Sequence, residues 1–248
     1  MDVQTILAKA RTDSDISAMT TSAGNLIECD LGGVDCPICH NRGVLMRYED
    51  GILVTIECEC MANRRSMRRI RKSNMEDMLS RYTFDAYETP DEERKQIKTA
   101  ALDFANSNEG WFYIAGQSGS GKTHICTAIC SRLIDRGKEV YYMRWRDESR
   151  QLKGLLNTQE IEAPLEKLKK VPVLYIDDFF KGGANDADVR MAFEILNARY
   201  NDTKLRTVIS SEYPIKKLLS IDEALGGRIW ERSAGYRLSA PRENWRLR

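Results

Sequence analysis

The chain has 248 residues, 42% hydrophobic and 30% charged, and its 38 basic and 37 acidic residues give a formal net charge of +1. This composition excludes wholesale disorder, because the apolar fraction is enough for a packed core, and it excludes a chain coated in basic residues. At about 100–200 residues per domain, the length allows one large domain or two smaller ones. No run of about 18 apolar residues predicts a membrane span, and residues 1–15 lack the apolar stretch of a signal peptide, so we expect a cytoplasmic protein.

The first predicted elements lie in residues 1–60. Five of the seven cysteines of the chain lie in this region, all of them after residue 28. Residues 1–28 show weak helical periodicity and predict a short helix followed by a Ser- and Thr-rich stretch. Four of the cysteines form a CxxC and a CxC: Cys36, Cys39, Cys58 and Cys60. The residues between the pairs carry turn signals at Gly43 and at the Asp-Gly pair 50–51, which predicts a hairpin that brings both pairs together.

Two cysteine pairs joined by a hairpin predict a zinc site. Without a signal peptide we expect a reducing compartment, in which clustered cysteines bind metal more often than they form disulfides. Four thiolates around Zn²⁺ leave no open coordination position, so the metal would be structural. Cys29 and His40 are competing ligands, and a metal-free or redox-active cluster is the alternative. A redox CxxC should open a helix within a βαβ unit, and no such unit surrounds this one.

Residues 61–82 predict a helix whose first half is strongly basic. Six positive charges fall there without an intervening acid: Arg64, Arg65, Arg68, Arg69, Arg71 and Lys72. Such a patch is typical of contact with nucleic acid or an acidic protein surface, and a solvated linker helix is the alternative. We therefore expect an N-terminal zinc-binding domain with a basic linker helix over residues 1–75, and a second domain over residues 76–248.

From about residue 84 onward, helical and apolar extended segments alternate. The predicted strands are residues 111–115, 139–143, 171–176, 206–210 and 236–240. The predicted helices are residues 91–106, a helix after residue 121, and residues 147–157, 162–169 and 189–200. Alternation of this kind is typical of an α/β fold, here with a five-stranded parallel sheet between helices.

The strongest motif follows the first strand of this domain and matches GxxxxGK[ST] at every fixed position. It comprises Gly116, Gln117, Ser118, Gly119, Ser120, Gly121, Lys122 and Thr123. Its glycines let backbone N–H groups turn toward phosphate oxygens, and the following helix adds the positive end of its dipole. Lys122 should reach the β- and γ-phosphates of ATP, and Thr123 should ligate Mg²⁺. The next residue, His124, should pack beside the nucleotide.

Asp177 and Asp178 end the apolar strand that begins near residue 171. The carboxyl ends of parallel strands lie at one edge of the sheet, so both acids should lie beside the phosphate loop. Asp177 is the expected Mg²⁺ partner, and Asp178 should polarise the attacking water as a general base. Two solvated acids at a strand end are the alternative, which the P-loop upstream disfavours.

With these motifs, residues 84–248 resemble the AAA+ domain of bacterial and phage replicative-helicase loaders of the DnaC/DnaI type and of the related IstB transposition ATPases. The resemblance rests on Thr83, Phe84 and Asp85 and on the segments GQSGSGKTH, LYIDD, TVISSEYP and GGRIWER. The cysteine cluster followed by a basic helix also resembles loaders. The P-loop is shared by many families, whereas this combination is much more specific.

The resemblance implies an AAA+ ATPase that self-associates through its ATP sites and contacts single-stranded DNA. It also implies that the protein loads a hexameric replicative helicase during replication initiation and contacts that helicase through residues 1–75. Arg228 falls where the family has its arginine finger, which reaches the γ-phosphate bound by a neighbouring subunit. A surface ion pair at Arg228, or a finger at Arg232 instead, is the alternative.

Two other functions compete with the loader interpretation. An IstB-like helper would act on DNA together with a transposase, and such proteins usually lack the cysteine cluster. A metabolic P-loop kinase or a plain nucleotide switch is the other alternative. A kinase should carry a substrate pocket and a lid insert, and neither is evident in the sequence.

The sensor position departs from the family pattern. The strand at residues 206–210 should lead to a polar sensor, commonly Asn, but Glu212 occupies that place. Ser210 or Ser211 can still position water, whereas an extra carboxylate near the γ-phosphate is electrostatically unfavourable and predicts slow hydrolysis.

The end of the sequence also departs from most AAA+ proteins. Nine residues follow Ser239, too few for a helical lid, so we expect a lidless core like that of the loaders. A sensor arginine would then have to be Arg242 or Arg246. Trp145, just after the second predicted strand, either stacks on a single DNA strand or packs on a neighbouring helix.

Overall fold

The computed structural model describes residues 36–49, 52–61, 64–65, 68, 75–156 and 158–245, with residues 47–49 described by their backbone only. Several sequence predictions lie outside these residues: the helix within 1–28, Cys29, Arg69, Arg71, Lys72 and Arg246. The chain divides into two compact units, residues 1–76 and 77–248, which we call the cysteine unit and the sheet unit.

The cysteine unit contains the predicted hairpin. Strands β1 (Val44–Glu49) and β2 (Ile52–Glu57) pair antiparallel, with Glu49 opposite Ile52 and Val44 opposite Glu57. The hairpin brings the CxxC and the CxC together, and the four cysteines form a buried cluster against which Leu45 and Met61 pack. The hairpin prediction is therefore confirmed.

The sheet unit alternates helices with strands. Its strands are β3 (Trp111–Ala115), β4 (Val140–Arg144), β5 (Val173–Phe179), β6 (Arg206–Ser211) and β7 (Arg237–Ser239). The helices are α1 (Glu76–Arg81), α2 (Glu92–Asn106), α3 (Lys122–Asp135), α4 (Trp145–Leu155), α5 (Glu162–Lys170), α6 (Asp186–Asn201), α7 (Ile215–Ile221) and α8 (Glu223–Arg232). A 3₁₀ turn, Gln159–Ile161, precedes α5. None of the helices in the described part of the chain is long and apolar enough to span a bilayer.

The five strands form one parallel sheet in the order β4-β5-β6-β3-β7, which confirms the predicted α/β fold. After β3 the chain crosses to the far edge at β4, returns through β5 and β6, and passes β3 to form β7. The carboxyl ends of β3, β5 and β6 are therefore neighbours at one edge of the sheet. This is the edge at which open α/β sheets bind ligands.

Local capping explains where three of the helices begin. Asp91 accepts a hydrogen bond from the N–H of Arg94 at the start of α2, and Asp222 does the same for Leu225 in α8. Asn185 and Asp188 form a reciprocal capping box at the start of α6. Such caps satisfy N–H groups that have no partner within the helix, and each contributes about 1 kcal/mol.

Two elements differ from their predicted bounds in ways that bear on the site. Strand β5 does not end before its acids but continues through Asp177 and Asp178 to Phe179, with an irregularity in its pairing after Ile176. Helix α4 begins directly at Trp145, whose side chain is 2% exposed.

Trp145 packs in the core of the sheet unit. Its ring meets Phe179 and Phe180 edge-on, at centroid distances of 4.9 and 5.3 Å. Trp145 thus packs inside the protein as predicted, although the rings it meets lie at the end of β5 and not on a neighbouring helix. A stacking site for a DNA strand at this residue is wrong because the ring is inaccessible.

Candidate nucleotide site and cysteine cluster

The loop of residues 116–121 joins the end of β3 to the start of α3. Gly119 and Gly121 have φ values of +80° and +89°, in the left-handed region that residues with a side chain rarely adopt. Helix α3 begins at Lys122 directly after the second of these turns. The loop thus points the N-terminus of α3 toward an open cavity. A helix N-terminus in this position can bind phosphate.

Lys122 is held inside this loop. Its Nζ donates to the carbonyl oxygens of Gly116 and Gln117, at 2.8 Å each, and the residue is buried. Burial lowers the pKa of Lys122, and the carboxylates of Asp178 and Glu212 offset part of that effect. A phosphate group beside the ammonium would favour the charged form of this lysine further.

Asp177 is a buried carboxylate surrounded by hydroxyl groups. It accepts hydrogen bonds from Thr123 (3.2 Å), Tyr175 (2.8 Å), Ser210 (2.5 Å) and Tyr142 (3.0 Å). Burial and the neighbouring carboxylate raise the pKa of both tyrosines, so the phenols stay protonated and act as donors. The structure therefore joins Thr123, on the P-loop helix, to Asp177, on β5, as the sequence predicts for a Mg²⁺ site.

Asp178 differs from its neighbour in both backbone and exposure. Its φ of +54° places a non-glycine residue in the left-handed region, which costs roughly 1–3 kcal/mol and is found most often at functional sites. Its N–H donates to Ser210 Oγ at 3.0 Å, and its side chain, 29% exposed, lines the cavity. This turn directs Asp178 toward the cavity, whereas Asp177 stays buried beneath it.

Lys181 explains how the structure accommodates Glu212. Its Nζ lies 2.9 Å from Asp178 Oδ2 and 3.3 Å from Glu212 Oε1. Burial alone would lower the pKa of Lys181, but the two carboxylates outweigh burial and raise it. Glu212, the extra acid at the sensor position, is therefore paired with Lys181, a cation that lines the cavity. Sequence reasoning did not identify Lys181.

The two serines at the end of β6, Ser210 and Ser211, have different partners. Ser210 bridges Asp177 and the backbone of Asp178, as described above. Ser211 donates to Phe179 O at 2.8 Å and accepts from the N–H of Tyr213, so its hydroxyl is used to hold the backbone. Of the two sensor candidates, Ser210 is the one that contacts the acidic residues.

A cavity of about 290 Å³ runs from the P-loop to a group of aromatic residues. Lys122, Thr123, Asp178 and Lys181 line its polar end. Tyr82, Tyr87, His124 and Trp245 line its aromatic part. The size and the division into a charged and an aromatic part suit a nucleotide.

His124 packs in the aromatic part of the cavity. Its Nε2 lies 2.9 Å from Thr83 O, and its ring centroid lies 5.0 Å from that of Tyr82 and 5.2 Å from that of Tyr87. Burial lowers the pKa of His124, although the contact with Thr83 raises it in part. The imidazole is therefore neutral at pH 7.

The predicted finger arginines do not line the cavity of their own chain. Arg228, on α8, donates to Asn197 Oδ1 and Ala224 O, both at 2.8 Å, and its guanidinium lies 4.7 Å from the ring centroid of Phe193. Arg232 donates to Thr203 O at 3.3 Å. Of the two predicted sensor arginines, the one within the described residues, at position 242, is exposed and also lies outside the cavity lining.

The four cysteine sulfurs lie within 4.8 Å of one another and are buried. Cys36 Sγ lies 3.8 Å from Cys58 Sγ, and Cys39 Sγ lies 3.5 Å from Cys60 Sγ. In a tetrahedral site with Zn–S bonds of about 2.3 Å, sulfur atoms lie about 3.8 Å apart. The donor set therefore fits zinc. His40 is exposed and does not belong to this group.

Backbone donors support the cysteine cluster. The N–H of Gly43 donates to Cys39 Sγ at 3.3 Å. Burial raises the pKa of Cys39, but this donor and the neighbouring thiols outweigh burial and lower it to about 6. Burial and the neighbouring thiols raise the pKa of Cys60 to about 12. The first thiolate to form in the cluster is thus stabilised, whereas the neighbouring negative charge makes the next thiol harder to deprotonate. A divalent cation bound by the sulfurs would compensate these negative charges.

Two of the basic residues predicted to contact a partner are engaged within the cysteine unit. Arg64, 4% exposed, donates to the backbone and side-chain oxygens of Asn41, whose side chain also accepts from Cys36 N. Arg65 forms an ion pair with Glu57. Arg68 is exposed. Arg64 therefore supports the cysteine turn and is not part of an open basic surface.

The P-loop, the Thr123–Asp177 pair and the parallel sheet define a P-loop nucleotide-binding protein. Residues 45–232 match the model of the family described as IstB-like ATP binding protein. This match covers most of the chain, so the chain belongs to the IstB-like ATP-binding family. The matched residues run from within β1, through β2 and the sheet unit, to the end of α8.

Two relatives from Bacillus subtilis (strain 168) are similar over nearly their whole length. The chain is 34% identical to the uncharacterized protein YqaM, with 94% of this chain and 90% of YqaM covered. It is 29% identical to the phage-like element PBSX protein XkdC over 224 residues, covering 84% of this chain and 83% of XkdC.

The solved structures of DnaI and of the DnaC helicase loader have the same fold. The crystal structure of DnaI aligns with a TM-score of 0.57 at 23% identity, covering 67% of this chain and 92% of the DnaI chain. The crystal structure of the DnaC helicase loader aligns with a TM-score of 0.55 at 19% identity, covering 66% of this chain and 99% of that one. The resemblance to DnaC/DnaI-type AAA+ proteins and their IstB relatives is thus confirmed at the level of family and fold.

Proposed function

We propose that the protein is an ATP-dependent loader of a hexameric replicative helicase. The observation that carries the proposal is the cavity in which Lys122, Thr123, Asp178 and Lys181 surround the N-terminus of α3. The folds of DnaI and of the DnaC helicase loader support the loader assignment over a metabolic kinase.

Each residue of the polar end has a distinct role in ATP hydrolysis. The P-loop amides and Lys122 would bind the phosphates, and Thr123 together with Asp177 would hold Mg²⁺. The metal, when bound, neutralises charge on the β- and γ-phosphates. Asp178 orients and deprotonates the attacking water, because of the two acids at the end of β5 it is the one that lines the cavity. Lys181 holds the Asp178 carboxylate at 2.9 Å and reduces repulsion between that carboxylate and the phosphates.

Self-association would complete the site. A finger arginine acts on the nucleotide of a neighbouring subunit, so it must lie outside the cavity of its own chain, as Arg228 does. The contacts of Arg228 with Asn197 and Phe193 orient its side chain on the surface formed by α6 and α8. An arginine at that place can stabilise the charge that develops on the γ-phosphate.

The cysteine unit would bind zinc and contact the helicase. A four-sulfur site of this size supplies folding energy to a unit with little core of its own. Ile38, Met46 and Ile52 are 59%, 70% and 67% exposed, which is typical of a surface that a protein partner covers. The basic residues around Arg68 provide charge for single-stranded DNA.

The nucleotide site is tested by two substitutions and a matched control. Lys122→Ala is expected to weaken ATP binding at least about tenfold, since the P-loop lysine binds the phosphates directly. Asp178→Asn is expected to keep ATP binding and to lower kcat by about 10²–10⁴, the usual contribution of a general base. Lys138→Ala, which changes an exposed lysine after α3, should alter neither value.

Calorimetry of ATP binding and a phosphate-release assay measure both outcomes. Wild-type affinity in the Lys122→Ala protein would show that the P-loop is not the nucleotide site. Full hydrolysis by the Asp178→Asn protein would leave the site in place but remove the role given to Asp178.

The loader role is tested against the second candidate function, an IstB-like helper of a transposase, which the family match favours. The purified full chain is mixed with the purified hexameric helicase of its host, with and without ATP, and complexes are measured by size-exclusion chromatography with light scattering. A stable ATP-dependent complex supports the loader. No complex with the helicase, together with ATP-dependent binding to a purified IS21-type transposase, supports the helper.

A further inference from the structure

Residues 240–245, which follow β7, run along the outside of the P-loop. The N–H of Ala240 donates to Ala115 O at 2.7 Å, and the N–H of Trp245 donates to Gly119 O at 3.0 Å. A Cβ built on Gly119 would lie 1.9 Å from Asn244 Oδ1, and one on Gly116 would lie 2.9 Å from Ala240 Cβ. Gly116 and Gly119 are therefore in close contact with this segment, which we call the strap.

Arg94 fastens the strap to helix α2. It is a charged residue with only 2% of its surface exposed, and it forms ion pairs with Asp91 and, at 3.0 Å, with Glu243. Its guanidinium also lies 4.7 Å from the ring centroid of Trp245. The contacts join residues about 150 positions apart, so they exist only when the sheet unit is folded.

The partners of Arg94 indicate that it is a clasp and not a phosphate ligand. Two carboxylates and an aromatic ring already surround the guanidinium, and together they compensate its charge at a buried position. Arg94 lines the cavity, but its charge is already paired with carboxylates, whereas the ammonium of Lys122 contacts neutral carbonyl groups of the P-loop and keeps its charge available to a phosphate. The orientation of Arg94 instead fixes Glu243 and Trp245 beside the loop.

The strap also forms part of the cavity wall. Trp245 and Arg94 line the cavity together with Tyr82 and Tyr87. The hydrogen bond from the N–H of Trp245 to the carbonyl oxygen of Gly119 restrains the peptide after Gly119. The conformation of this peptide helps to set the shape of the loop. The strap thus reaches the nucleotide site in two ways, through the loop backbone and through the ring of Trp245.

We propose that residues 240–245 position the P-loop for nucleotide binding, with Trp245 as a wall of the site and Arg94 as the clasp. This inference rests on the proposed nucleotide site and adds to it a positioning element that lies outside the P-loop and the acidic strand. Loss of the strap raises the entropy of the loop in the free protein, which weakens binding without removing any phosphate ligand.

The experiment measures the affinity of the full chain for ATPγS by calorimetry and amide hydrogen exchange across residues 116–124. Trp245→Ala is expected to weaken binding about tenfold and to speed exchange in the P-loop, and Glu243→Gln to do the same by about threefold. Trp245→Phe keeps a ring over Arg94 and should restore affinity to within about twofold. Trp230→Ala, a matched change of an exposed tryptophan on α8, should alter neither affinity nor exchange.

The outcomes separate the strap from the nucleotide site. Unchanged affinity and exchange in both Trp245→Ala and Glu243→Gln, with a wild type that binds ATPγS, overturns the strap and leaves the site intact. Tighter binding by Glu243→Gln also overturns it, since it would mean that Arg94 is a phosphate ligand restrained by Glu243. A wild type that does not bind ATPγS overturns both proposals. Glu243 is 42% exposed, so its substitution keeps the test valid even if Trp245→Ala unfolds.

Discussion

The interiors of the two units of this chain are built from different kinds of residue. In the cysteine unit the buried cluster consists of four cysteines, with Leu45 and Met61 packed against it, while the apolar side chains of Met46 and Ile52 face solvent. In the sheet unit, by contrast, every residue of β3 is buried and the core contains large aromatic side chains. We expect a unit with so small a core to depend on the proposed zinc, and the larger unit to be stable through packing.

The largest expected effect follows from removing one thiolate. Cys58→Ser is expected to reduce bound zinc from about one per chain to nearly none and to unfold the cysteine unit. The reason is that zinc binding contributes about 10–16 kcal/mol in comparable peptides at pH 7. Metal analysis gives the zinc content, and scanning calorimetry is expected to show that the transition of the sheet unit persists.

Cys130→Ala is the matched control, because Cys130 is a buried cysteine of α3 in the other unit. It should leave the zinc content unchanged. Equal zinc content in the Cys58→Ser and wild-type proteins would contradict the metal site and with it the contrast between the units.

The next largest effect is expected in the core of the sheet unit. Trp145→Ala should destabilise this unit by about 3–5 kcal/mol, since it removes a buried ring that packs against Phe179 and Phe180. Urea unfolding measures the loss, and the zinc content should stay the same. Trp230→Ala, at an exposed position on α8, should cost about 1 kcal/mol or less. Similar costs for the two changes would argue against packing as the main source of stability.

The smallest expected effect distinguishes the two histidines, one in each unit. Burial lowers the pKa of His124 below its ordinary value of about 6.5. Below that pH the unfolded chain binds a proton that the folded chain does not, so the sheet unit loses up to about 1.4 kcal/mol of stability per pH unit until the lowered pKa is reached. His124→Gln should flatten this slope below about pH 6.5. His40→Gln, at an exposed position, should leave it unchanged.

Features set by residues close together in the sequence could be predicted before the structure was known. The spacing of Cys36 and Cys39, the turn signals after them and the CxC predicted the hairpin. The alternation of apolar strands and helices predicted the five-stranded sheet, with most boundaries within a few residues. These patterns are reliable because local backbone preferences and periodic burial produce them directly.

The residues that complete the nucleotide site were predicted less well. Tyr142 and Lys181 contact Asp177 and Asp178, but a tyrosine in a strand and a lysine in a loop carry no signal in a single sequence. The bulge that turns Asp178 toward the cavity also has no local signature, since an aspartate is not a residue that favours a positive φ as strongly as glycine. The interpretation of Arg64 as part of an open basic patch was wrong, because Arg64 is buried and donates to Asn41. Asn41 lies in the turn after Cys39, far from Arg64 in the sequence, so the sequence pattern did not indicate this contact.

The sequence by itself determined the P-loop, the two neighbouring acids of β5 and the two pairs of cysteines, because each is a short motif whose chemistry requires fixed spacing. Only the tertiary structure decided which acid faces the cavity, that Lys181 pairs with Glu212, and that Arg94 fastens the strap with Trp245 to helix α2. Those contacts join side chains that are close in space and unrelated in sequence spacing. They depend on the order β4-β5-β6-β3-β7, which brings the ends of distant strands to one edge of the sheet.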